Sequence, residues 1–175
     1  MDSPKDFFEL AQAITSVTVG AMIGVVERLV VTEPPIVKFM ASLLAVESRH
    51  NAFIRHAQGA MPSPAPFDTG INDIWAYNLA LLFTVPGSCE VELPFPILPM
   101  LNVTQPASSR FTNNTGTSTT RQLVWDPTQA PFVAEAGKQL TVGWVSQLNE
   151  AAYTPLNITA KGKGVTSLPQ GICWN

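Results

Sequence analysis

The sequence predicts an α+β protein: an antiparallel helical hairpin, a short third helix and a small C-terminal antiparallel β unit. Three observations point there. Apolar residues recur at helical spacing through the first third of the chain. Most of the 15 prolines and 11 glycines fall after residue 58. From residue 101 onward, apolar and β-branched residues alternate between turn residues, as in strands with one buried face. Residues 1–100 are accordingly read as a helical domain with a Pro-rich connector, and 101–175 as a β-rich extension.

The first helix starts at Ser3-Pro4-Lys5-Asp6: Ser3 is an N-cap, Pro4 suits the first helical position, and Asp6 puts an acid in the first turn. No charge occurs between Leu10 and Val26, and the apolar residues surround the helix instead of forming a stripe. Such a helix is central to a bundle or crosses a membrane. Gly20-x-x-x-Gly24 would also suit close helix contact in lipid. Gln12, Thr15, Ser16 and Thr18 make the run short and polar for a span of about 20 residues, so a membrane role is not expected.

Thr32-Glu33-Pro34-Pro35 ends that helix and starts a second, from about Pro34 to Gln58 with Gly59 as its C-cap. Two long helices with so short a connection form an antiparallel hairpin. "MPSPAPFDTG" breaks regular structure, a third helix follows over about Ile71–Phe83, and "VELPFPILPM" reads as an extended connector. "RQLVWD", "QLTVGWVSQL" and "PLNITAKGKGV" supply three or four strands.

Composition narrows the function classes. Hydrophobic residues make up 46% and charged residues 13%, below the usual quarter or so, which implies extensive burial. A net charge of −3 without any basic run excludes a nucleic-acid surface. There is no Gly-x-Ser-x-Gly elbow, glycine-rich phosphate loop or zinc-finger spacing. "MDSPKDFF" lacks the basic region of a signal peptide. Three sequons nevertheless occur, at Asn102, Asn113 and Asn157, all in the turn-rich part where glycans could attach. With only two cysteines, Cys89 and Cys173, placed to close a long loop, they suggest a secreted glycoprotein whose leader lies outside this stretch. The cytoplasm, with two free buried thiols, is the alternative.

The segment "LLAVESRHNAF" carries the candidate chemistry. Glu47 and His50 are three residues apart, so they project from one helical face and could hold a single ion. By period Glu47 aligns with Met40, Leu43 and Ile54, which places the pair on or beside the buried face. A Glu-x-x-His pair pointing into a bundle is the repeated unit of di-iron and di-manganese carboxylate sites. The plainer alternative is a polar pair satisfied within the core, or a surface arrangement with Arg49. His56, near the helix end, suits the negative end of the helix dipole. Asp68 in "PFDTG" reads as a turn or N-cap residue near the bundle end, beside a pocket.

"VESRHNAF", then "MPSPAPFDTGINDIW", then "SCEVELPFPILP" resemble the ferritin-like proteins of the fungal stress-response and plant desiccation-related group. "FFELAQAITSVTVGAMIG" is similar to the helix that precedes these segments in that family. The likeness covers residues 6–100, and the C-terminal strands more loosely, through "SLPQGI". It implies a four-helix bundle with metal ligands from all four helices, of which this chain carries the second pair. Where the family's helix has a ligating glutamate this chain has Thr15, a poor ligand for iron or manganese. Where the family has a tyrosine it has Met22. Glu27 does not replace the glutamate: it lies about 120° round the helix from Thr15 and about three turns further along.

Glu47 and His50 are then the remnant of a degenerate di-metal site, with Thr15, Met22, Asn51 and Asp68 lining the pocket beside it. The resemblance thus implies a ferritin-like module without redox metal chemistry and without a resident cofactor. It would act as a secreted structural, stress-associated or ligand-binding protein. One alternative is a metal-independent enzyme that acts on a small apolar molecule in the bundle cavity, with Glu47 and His50 as catalytic acid and base. Another is an iron or manganese site completed by dimerisation or by a chain supplying the missing helices. A homo-oligomer or such a partner chain is expected in any case, because an apolar hairpin cannot cover itself.

Overall fold

A computed structural model describes residues 3–88, 90–91, 94–105, 120–126, 128 and 140–169. The chain divides into two compact units, Met1–Ile97 and Leu98–Trp174.

The first unit holds α1 (Pro4–Thr32), α2 (Pro34–Ala57) and α3 (Asp73–Ala80), the last running into a 3₁₀ turn, Leu81–Phe83. The start of α1 is as expected: the Ser3 hydroxyl accepts from the Asp6 N–H at 3.2 Å. Glu33 alone separates the first two helices, and its N–H closes α1 on Leu29 O at 2.8 Å. The hairpin is antiparallel, because Gln58 at the far end of α2 donates to Gln12 Oε1 near the start of α1, at 2.7 Å. After α2 the chain turns at Gly59, whose φ of 72° favours a residue without a Cβ.

By length and composition α1 could cross a membrane. One side of it packs against α2 and α3, and against the backbone between them. The pair Gly20 and Gly24, which the sequence offered for helix contact, receives an extended segment, residues 69–71. The Ile71 N–H donates to Gly20 O at 3.0 Å. A Cβ at Gly20 would sit 2.8 Å from Thr69 O, and one at Gly24 would collide with the Ile71 carbonyl. Val19, 2% exposed, anchors this side of the helix; burying such a side chain contributes about 1.5–3 kcal/mol.

α3 starts at the Asn72 cap, where the Asn72 side chain accepts from the Trp75 N–H at 2.9 Å. Inside α3, Asn78 is buried and donates to Ile74 O (2.8 Å) and Pro96 O (2.9 Å), so it ties the Pro-rich connector to the helix. The Tyr77 and Phe95 rings pack beside that tie at 5.7 Å.

The second unit is one antiparallel sheet of five described strands: β1 (Val103–Gln105), β2 (Thr120–Trp125), β3 (Leu140–Trp144), β4 (Ala152–Ala160) and β5 (Lys163–Ser167). Their spatial order is β1-β2-β5-β4-β3. The stretch "PLNITAKGKGV", one of three that the sequence divides into three or four strands, is a hairpin of β4 and β5. Gly162 turns it at φ 71°, and Ala160 faces Lys163 across the turn. The β4–β5 ladder begins at Leu156, just past Pro155, which has no N–H to give to it. Thr154, Leu156, Thr166 and Trp125 make the buried face. A relay of hydrogen bonds crosses it: Trp144 Nε1 to Thr154 Oγ1 (2.7 Å), Thr154 to Thr166 Oγ1 (2.7 Å), and Thr166 Oγ1 to Pro155 O (2.9 Å).

Candidate functional site

Helical spacing does put Glu47 and His50 on one side of α2, with Glu47 Oε2 and His50 Nδ1 3.6 Å apart. That separation is too long for a hydrogen bond. The expected burial is not found in this chain. His50's side chain is 59% exposed and Glu47's 30%, and none of α2's residues is fully buried. The reason is geometric, since two helices cover only the faces they turn toward each other. The remaining face of α2 leaves Ile36, Phe39, Leu43 and Phe53 exposed, and on α1 Phe7 and Ile14 are exposed as well.

Thr15, at the position where the resemblance implies a glutamate, is buried on α1. A carbon–hydroxyl side chain there adds no anionic donor, so Glu47 and His50 form a two-donor set. Among the described residues no group of three or more His, Cys, Asp and Glu side chains could hold a metal ion. Two donors from one helix are fewer than a di-metal carboxylate centre uses, since such a centre takes ligands from several helices.

A second place is better enclosed. A cleft of about 770 Å³ opens between the hairpin and the Pro-rich segment 62–69. Its helical wall is Ser16, Val19 and Gly20 from α1 and Ser48, Asn51 and Arg55 from α2. The opposite wall follows from the sequence "PSPAPFDT", where proline after proline forbids helix and the chain bends through residues 64–67. Two contacts hold that wall: Arg55 Nε donates to Met61 O at 2.8 Å, and residues 69–71 lie on the two glycines of α1. Asn51 Oδ1 is buried with no hydrogen-bond partner, an arrangement that costs about 1–3 kcal/mol when left unmet.

The structure thus separates the sequence candidates. Asn51 and Asp68 line the cleft together, Asp68 at its exposed rim. Glu47 and His50 do not line it. Met22 faces a shallower groove of about 560 Å³ between α1 and α3, with Val25, Tyr77 and Phe95. His56 lies in the last turn of α2 with Arg55. Asn102 and Asn157 are exposed, whereas Asn113, Cys89 and Cys173 lie outside the described residues. The reading from sequence missed Ser16, Ser48 and Arg55. Their signal was present as small or polar residues set one helical turn or two from Gly20 and Asn51, facing a proline-rich return.

Against known proteins, residues 1–60 match the ferritin-like domain family. The chain is also 29% identical, over 211 aligned positions, to Protein rds1 of Schizosaccharomyces pombe (strain 972 / ATCC 24843). That alignment covers 99% of this chain and 51% of the relative, so the chain spans about half the relative's length. No solved structure matches the chain. The chain is thus similar to the ferritin-like domain family over residues 1–60 and, along nearly all of its length, to Protein rds1.

Proposed function

We propose that the chain is a stress-associated, ligand-binding or structural ferritin-like module that does not form an oxidase-type metal centre by itself. The observation that carries this reading is the two-donor set: Glu47 and His50 on an open face of α2, with Thr15 buried on α1 in place of a carboxylate. The stress association rests on the motif likeness to the fungal and plant group described above. Secretion and glycosylation rest on the three sequons, of which Asn102 and Asn157 are exposed. The exposed apolar side chains of α1 and α2 support pairing of the hairpin, with a second copy or with a chain that supplies further helices.

Elemental analysis of the purified assembly, alongside its mass in solution, tests the reading. Substoichiometric iron and manganese, with melting unchanged by a chelator, is the expected result. Stoichiometric metal that is lost in Glu47→Ala and His50→Ala would overturn it, and would show that assembly completes the site.

A further inference from the structure

We infer that Asn157 carries an N-linked glycan whose first sugars lie along β4, against Pro155 and the ring of Tyr153. The inference rests on the secreted, glycosylated reading proposed above, and names one site and the surface that receives the sugar.

Along β4 the side chains alternate: Thr154 and Leu156 face the buried side, while Tyr153, Pro155 and Asn157 are exposed together on the other. Asn157 begins the sequon Asn157-Ile158-Thr159, so its amide nitrogen is an acceptor for N-acetylglucosamine. In that step the nitrogen bonds the anomeric carbon of a lipid-diphosphate-linked oligosaccharide. The carbon–oxygen bond to the diphosphate breaks, the lipid diphosphate leaves, and the amide gives up one proton. The fold then has to accommodate the product. The cross-strand neighbour of Asn157 on β5 is Val165, with Gln122 of β2 beyond it, so no bulky or charged side chain stands in that row.

Tyr153 supplies the contact. Its side chain leans across to β3, since a Cβ at Gly143 would lie 3.2 Å from Tyr153 Cε1 and 3.5 Å from Cδ1. Gly143 thus leaves the space on which one edge of the ring rests, yet Tyr153 remains 70% exposed. The outward side of the ring is electron-rich and suits a partner that turns C–H groups to it and hydroxyls to water, as a pyranose does. Tyr153 and Asn157 are four residues apart on one strand, about 13 Å. The first sugars of a glycan span that distance, with Pro155 beneath their path. The other described sequon, at Asn102, precedes β1, where the paired ring, Trp125, is only 3% exposed and offers no such surface.

The full chain, secreted from yeast behind a cleavable leader, tests the inference. Peptide mass spectrometry should find Asn157 glycosylated. Enzymatic removal of the glycan from the folded protein should lower its melting temperature by about 2–4 °C. Tyr153→Ala should abolish that difference, and Tyr153→Phe should keep it. Proton NMR gives a second readout: the ring current should move an N-acetyl methyl signal upfield in the parent and in Tyr153→Phe, and not in Tyr153→Ala. A bare Asn157 in secreted, folded protein would overturn the inference, as would a glycan whose removal changes melting equally with and without the ring. Modification at Asn102 with Asn157 bare sinks this inference and leaves the secretory reading standing, whereas no modification at any sequon counts against both.

Discussion

Gly24→Ala sets two physical effects against each other, and the structure says which wins. In an isolated helix the change is favourable, because alanine exceeds glycine in helix propensity by about 1 kcal/mol. In this chain the new methyl would collide with the Ile71 carbonyl oxygen and come within 3.0 Å of the carbonyl carbon. The obstacle is backbone, so no rotamer change relieves it. Relief requires residues 69–71 to move off α1. Overpacking of that kind costs about 1–3 kcal/mol. The retreat would also break the Ile71 N–H bond to Gly20 O, worth about 0.5–1.5 kcal/mol. Propensity offsets about 1 kcal/mol of this, so the expected net loss is about 2 kcal/mol, with outer limits of roughly 0.5 and 3.5. Urea unfolding followed by far-UV circular dichroism measures it, as a lower midpoint at unchanged slope. A Gly24→Ala protein as stable as the parent, or more stable, would refute the packing of residues 69–71 on α1.

Other expectations follow from single contacts. Asn78→Ala removes the donor shared by Ile74 O and Pro96 O, and should cost about 1–3 kcal/mol in denaturant unfolding. Thr166→Val keeps the shape of a side chain that is 1% exposed but breaks the relay from Trp144 to Pro155 O; a loss of about 1–3 kcal/mol is expected, read by Trp fluorescence during unfolding. Arg28→Ala breaks the ion pair with Asp73 on a surface where the two side chains are 53% and 31% exposed, so stability should fall by less than about 1 kcal/mol. Asp126 should titrate below the ordinary carboxylate value, because first the Thr128 hydroxyl and then the Thr128 N–H hold its ionised form. Its contribution is therefore present above the unfolded value and fades as pH falls through the lowered folded one. Carboxyl-carbon NMR should show the shift shrinking in Thr128→Val.

Local rules in the chain determined the helical elements and their ends. Ser3 and Pro4 fix the start of α1, Glu33-Pro34 its junction with α2, and Gly59 the turn after α2, because caps, prolines and positive φ act over a few residues. Alternation likewise marked β2 and β3 as strands. It left open whether "PLNITAKGKGV" holds one strand or two, since a two-residue turn at Lys161-Gly162 leaves the period almost unbroken.

Tertiary structure decided what the local pattern left open. Period alone aligned Glu47 with the apolar side of α2, but burial depends on what lies opposite, and in this chain that side of α2 lacks full cover. The Gly20-x-x-x-Gly24 spacing announced a close approach without saying by what, and the answer is an extended backbone some fifty residues later in the chain. Asn51 and Asp68 were read from the sequence as lining a pocket with Thr15 and Met22 beside Glu47 and His50, and none of those four lines the cleft. The cleft that Asn51 and Asp68 share with Arg55 and the serines exists because α1, α2 and a proline-stiffened return meet in space, a distance that no spacing along the sequence encodes.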